Sequence, residues 1–162
     1  MSPSLLGERL QLGAANASQS PHWSDGAVAN TALTWLTANF SLTAAELRAL
    51  VAGTVVPGLG AQRLAVDTMG LGRGLAYING HRLGRYFLIG APPHGSPTQR
   101  YIPVPSGWLT AGSNVLTVLE AAGAPAPSSV RIVRSALVAA PNKHLHGGAV
   151  GDGCLDNAAF GR

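Results

Sequence analysis

The chain has 162 residues, enough for one domain that buries roughly two-thirds of its unfolded surface. Apolar residues make up 46% and charged residues 11%, with Gly 21 and Pro 11. This argues against disorder and for short strands joined by tight turns. The formal charge is +4, but the arginines stand singly along the chain beside one lysine, Lys143, so no clustered nucleic-acid-binding face is expected.

A lone cysteine, Cys154, excludes an intrachain disulfide. No apolar run of about 18 residues is present, so no membrane span is expected. The N-terminus MSPSLLGERLQLG lacks the basic start and long apolar stretch of a signal peptide, and localisation stays open.

Gly7–Leu12 reads as a first short strand, residues 16–25 as a loop around Trp23, and residues 32–40 as a strand rich in Thr and aromatics. Thr43-Ala44-Ala45-Glu46 is a capping box, because a Thr hydroxyl and a Glu carboxylate three residues on satisfy each other's backbone N–H. Leu47, Leu50 and Val51 follow at helical spacing, which predicts a short helix over 44–52. Residues 53–60 read as a loop. From Arg63 onward strands and turns alternate: 64–67, a Gly-rich turn at 68–74, 75–78, then Asn79-Gly80 and a returning strand 83–89. Asn-Gly between apolar runs signals a two-residue hairpin turn. Tyr101–Pro105, 115–120 and 130–138 are the remaining strands. Strands at such regular spacing predict an antiparallel sandwich. Residues 1–140 are expected to form it, with 141–162 as a flexible tail.

Hydrolysis of a glycoside needs two facing carboxylates. Before residue 140 the chain offers Glu8, Asp25, Glu46, Asp67 and Glu120. Glu46 is taken by the cap, and Asp67 and Glu120 at strand ends are expected to pair with Arg85 as a structural ion pair. His144, His146, Asp152, Cys154 and Asp156 have loose metal-like spacing, but a Gly-rich tail does not preorganise ligands. No metal or cofactor is expected. A sugar would need an exposed aromatic platform and fixed polar groups. Trp23, Tyr86 and the hairpin-tip residues Asn79, His81 and Arg82 are the candidates, while Trp35 and Trp108 read as core.

Two segments, LAVDTMGLGRGLAYINGHRLGRYF (64–87) and RYIPVPSGWLTAGSNVLTVLEAAG (100–123), together resemble the C-terminal jelly-roll domain of family-35 β-galactosidases, the plant type above all. The ordered matches run from Asp67 through Gly70, Gly72, Gly74, Asn79, Gly80, Gly84, Arg85 and Tyr86 to Trp108, Asn114 and Glu120. Tyr77 and Phe87 stand where that family usually has Trp, and 43–60 is longer than the plant-type connection. The resemblance implies an all-β, galactose-binding-like jelly-roll sandwich that is itself non-catalytic. Its implied partner is a catalytic (β/α) barrel, in cis or in trans, with galactose-containing glycans as a further expectation. The alternative is a stand-alone carbohydrate-binding module. The resembled family is mostly secreted, cell-wall, vacuolar or lysosomal.

Overall fold

Leu36, Ala38, Phe40 and Leu42 alternate with Trp35, Thr37, Asn39 and Ser41, a period of two that puts one set on each face of a strand. In the computed structural model these residues form β1 (Thr34–Leu42), and the first set is buried. The structure describes residues 10–14, 23, 29–53, 55–56, 60–88, 99–137 and 153–154. After β1 come helix α1 (Ala44–Val51), β2 (Val55–Val56), β3 (Gly60–Asp67), β4 (Arg73–Ile78) and β5 (His81–Phe87). They are followed by β6 (Tyr101–Val104), β7 (Gly112–Glu120), β8 (Arg131–Leu137) and β9 (Gly153–Cys154).

The strands pair antiparallel in two sheets. The first has the order β1-β7-β4-β5; the second has β2-β3-β8-β9, with β6 also on β3. Leu36, Phe40, Ile78, Leu116 and Val118 of the first sheet join Leu64, Val66, Ile102, Val104 and Ile132 of the second in one buried core. This is the expected all-β sandwich. Fully burying each such side chain contributes about 1.5–3 kcal/mol.

The capping box forms as its spacing predicts. Glu46 N donates to Thr43 Oγ1 (3.2 Å), and Thr43 N donates to Glu46 Oε2 (2.8 Å). The Thr43 backbone N–H first, its hydroxyl next and Arg134 after them hold the Glu46 carboxyl below its usual range. Arg134 Nη2 lies 2.6 Å from Glu46 Oε1, which ties the helix to β8.

Several expectations are corrected. Leu10–Leu12, expected in a first strand, form a turn closed by Ala14 N to Gln11 O (2.8 Å); residues 7–9 lie outside the described set. The loop at 53–60 contains β2, which pairs with the start of β3. Trp35 is half-buried on the outer face of the first sheet, not in the core, because its neighbours Leu36 and Ala38 take the inward positions. There it packs against Tyr77, centroids 5.9 Å apart. Its Nε1 is buried without an acceptor, for which we have no physical account. Gly153–Cys154 pair with Val133 and Arg134; the rest of 141–162, expected as a tail, lies outside the described residues.

The Gly-rich turn before β4 closes around a buried carboxylate. Glu120, fully buried at the end of β7, accepts from the backbone N–H of Gly72 (2.8 Å), Arg73 (3.3 Å), Ala122 (2.7 Å) and Gly123 (3.1 Å). The Tyr86 hydroxyl donates to it as well (3.1 Å) and also reaches Leu119 O (3.2 Å). Gly74 lies opposite Tyr86 in the β4–β5 ladder, and a Cβ on it would collide with Leu119 O and the Tyr86 ring. Gly70 has φ +88° with Ala126 O against the place a Cβ would occupy. The glycines of the motif therefore serve the close approach of backbone to backbone.

Burial first, and the Glu120 carboxylate next, push the Tyr86 hydroxyl well above its ordinary 10.0. The unfolded chain releases this proton at about pH 10 while the folded chain keeps it. The stabilisation is therefore complete below about pH 10 and is lost as pH rises beyond it, by up to about 1.4 kcal/mol per pH unit. Unfolding free energy measured from pH 8 to 11.5 is expected to fall more steeply for the wild type than for Tyr86→Phe. Equal slopes would contradict a buried, proton-retaining Tyr86.

Candidate functional site

The tip of the β4–β5 hairpin holds three of the residues expected to contact sugar. Asn79 and Gly80 have φ of +47° and +83°, the paired positive values of a type I′ turn. The Asn79 side chain faces inward across the turn. Its Nδ2 donates to Trp108 O and to Asn114 Oδ1 (2.8 Å each), and its Oδ1 accepts from Val115 N (2.8 Å). The fully buried Asn114 in turn donates to Thr110 O (2.9 Å) and Gly112 O (3.1 Å) and accepts from Thr110 N (2.9 Å). Two carboxamides thus lock the hairpin tip to the turn before β7. The spacing of Asn79 from Asn114 gives no sign of this, since it depends on β4 lying beside β7.

His81 and Arg82 are exposed at the tip. The His81 ring stacks on the Trp108 indole at 4.9 Å and 16°, so it occupies the position against Trp108 that a sugar ring would need. Trp108 is half-buried and packs on the core. Trp23 is half-buried; residues 15–22 and 24–28 around it lie outside the described set.

Tyr86, expected as a sugar contact, is only 1% exposed. Its position opposite Gly74 turns it inward to Glu120, so it offers nothing to a ligand. The alternation that turns Tyr86 in turns Arg85 out. Arg85 is exposed opposite Leu75, and the expected ion pair of Arg85 with Asp67 and Glu120 does not form. Asp67 belongs to the other sheet and pairs with Arg100, Nε to Oδ1 at 2.7 Å and Nη2 to Oδ2 at 2.6 Å. The Arg100 guanidinium also lies 4.8 Å from the Tyr101 ring centroid. Glu120 is satisfied by backbone N–H groups and Tyr86.

The described carboxylates are thus each held in a separate structural setting. Glu46 closes the helix cap, Asp67 pairs with Arg100, and Glu120 lies inside the turn. Glu8 and Asp25 lie outside the described residues. Among the described residues no group of three or more His, Cys, Asp and Glu side chains is placed to hold a metal; the 144–156 set lies mostly outside them. No helix among them is long and apolar enough to cross a membrane. A cleft of about 370 Å³ lies between α1 and the second sheet, lined by Leu50, Val51, Leu64, Val104 and Leu109 with Arg63 at its rim.

Arg85→Ala is expected to change stability by less than about 0.5 kcal/mol. Arg100→Ala, which leaves the largely buried Asp67 carboxylate the Met69 N–H but no guanidinium, is expected to cost about 2–3 kcal/mol. Denaturant midpoints check both, and a large loss at Arg85 would contradict its exposed position.

The family model "Beta-galactosidase, galactose-binding domain" matches residues 33–114, about half of the chain. "Beta-galactosidase 7" of Oryza sativa subsp. japonica is 29% identical over 120 residues, covering 74% of this chain and 14% of the relative. "Beta-galactosidase 13" of Arabidopsis thaliana is 26% identical over 114 residues, covering 70% and 12%. A solved β-glucuronidase of Bifidobacterium dentium, complexed with coumarin-3-O-glucuronide, aligns with TM-score 0.36 and 23% identity over 54% of this chain and 11% of that one, a likeness too slight to carry an argument. The chain spans about one-seventh of the length of the curated relatives it matches. With its Gly-rich turn and its Asn-Gly hairpin inside the matched region, the chain belongs to the galactose-binding domain family of β-galactosidases.

Proposed function

We propose that this chain is a non-catalytic accessory domain that docks on a catalytic (β/α) barrel, in cis or in trans, in a β-galactosidase-like protein. The observation that carries the reading is the engagement of Glu46, Asp67 and Glu120 in three separate structural roles. A glycosidase acid and its partner carboxylate must face each other about 5–10 Å apart across an open site, and Glu120 is sealed inside the sandwich. The small share of each relative's length that this chain matches fits a module that leaves chemistry to another part of the protein.

The docking face best supported is the cleft beside α1, whose lining mixes aliphatic side chains with Arg63 and Ser106. Val51, 63% exposed, stands at its edge, and the cleft walls are Leu50, Leu64, Val104 and Leu109. The walls are themselves buried, so the apolar surface that gains by being covered is the exposed Val51 side chain. A second reading, a galactoside-binding module, draws support from the exposed His81 and Arg82 beside Trp108 at the hairpin tip.

The expected outcome is no hydrolysis of a chromogenic β-galactoside by the chain alone. Added to a β-galactosidase catalytic barrel stripped of its own sandwich domains, the chain is expected to form a complex on a sizing column. Val51→Asp is expected to abolish that complex. Turnover by the chain alone, or no complex at tens of micromolar, contradicts the docking reading. Saturable NMR shifts at His81 and Arg82 on titration with galactose establish the second reading instead.

A further inference from the structure

The arginines that stand singly in the sequence do not stand singly in the fold. Along the outer face of the first sheet, Arg73 is paired across the ladder with Phe87, Leu75 with Arg85, and Tyr77 with Arg82. Residues directly opposite in an antiparallel pair share a face, so all six side chains lie on one side. A bulge between Ala76 and Tyr77 fits Arg82 to this face although it is three residues from Arg85. Ladder geometry spaces Arg73, Arg85 and Arg82 about 7 Å apart in a row, with Phe87 and Tyr77 beside them.

Among the described residues this face is cationic and unbalanced. Arg73, Arg82 and Arg85 are exposed, and among the described residues none of the three has an ion-pair partner. The described carboxylates are all committed elsewhere: Glu46 to Arg134, Asp67 to Arg100, and Glu120 to the interior of the sandwich. Tyr77 is covered on this face, since Gly13 lies against its ring. Among the described residues, the exposed part of this face is Arg73 of β4 with Arg82, Arg85 and Phe87 of β5, an edge strand of its sheet. Four exposed side chains are far fewer than the roughly 20–30 residues a side of a stable protein interface. They suit a thin polymer better, one with anions at intervals and apolar ring faces between them. Guanidinium groups grip carboxylate or sulfate in a bidentate manner, and Phe87, 46% exposed, provides an apolar surface in the same strip.

We propose that the Arg73–Arg85–Arg82 strip binds an anionic polysaccharide, each arginine taking one carboxylate or sulfate of the chain. The site is separate from the cleft beside α1 and does not depend on docking there. Polygalacturonate supplies the carboxylate form and heparin the sulfate form, and the stronger of the two identifies the preferred anion; neutral β-galactan is the uncharged control.

The test is affinity electrophoresis and calorimetry of the whole chain with these three polymers at two salt concentrations. The wild type is expected to bind at least one acidic polymer, more weakly at higher salt, and to leave neutral galactan unbound. Arg82→Glu/Arg85→Glu is expected to weaken binding at least about tenfold, a loss of about 1.4 kcal/mol. Arg48→Glu/Arg63→Glu makes the same change in net charge on exposed arginines elsewhere and is expected to weaken it less than about twofold. The milder Arg82→Gln/Arg85→Gln, with an unchanged unfolding midpoint, separates lost binding from lost folding. Equal weakening by the two charge-reversed pairs would reduce the effect to net charge and overturn the proposal. So would binding to an acidic protein but to neither polymer.

Discussion

The fold turns on one buried anion. Glu120 sits at the end of β7 with no solvent contact, and an isolated carboxylate there would cost several kcal/mol. Four backbone N–H groups and one phenol surround it instead, which is how a buried charge is tolerated. Those donors come from the turn before β4, the start of β4 itself, the turn after β7 and β5. One side chain therefore fixes where three strands of the first sheet begin and end. The hairpin tip and the arginine strip inherit their positions from it, since both are carried by β4 and β5.

The same economy governs the other described carboxylates. Among the described residues, Glu46 serves a cap, Asp67 an ion pair and Glu120 a buried hub. Aromatic residues follow a similar pattern: Tyr86 serves Glu120, Trp35 and Tyr77 pack on each other, and Trp108 is covered by His81. Among the described residues, two surfaces stand out, a cleft beside α1 and a cationic strip on the opposite sheet. They fit an accessory domain in which one side meets protein and another meets a charged polymer.

Local features are legible in the sequence, and long-range ones are not. The capping box at Thr43–Glu46 and the Asn79–Gly80 hairpin each depend on residues within three positions of one another, and both form as their chemistry requires. Asp67 pairs with Arg100 rather than Arg85, a choice made by β6 lying on β3 with Tyr101 opposite Asp67. Strand alternation puts Tyr86 and Arg85 on opposite faces, so they cannot both point outward to a ligand or both inward to a carboxylate. Gly74 opposite Tyr86 carries the deciding clue: a glycine facing a large ring marks the side on which that ring packs. The gathering of Arg73, Arg82 and Arg85 is hidden because it requires the ladder register and a bulge, neither of which composition reveals.

The central claim, that Glu120 holds the turns around it from inside the sandwich, is tested most directly by amide hydrogen exchange. Gly72, Ala122 and Gly123 lie in turns and would exchange rapidly if their N–H groups met only water. If they donate to a sealed carboxylate, their protection should approach that of the central β7 amides and vanish selectively in Glu120→Ala under conditions where the core remains folded. Unprotected Gly72 and Ala122 amides in the wild type would contradict the account.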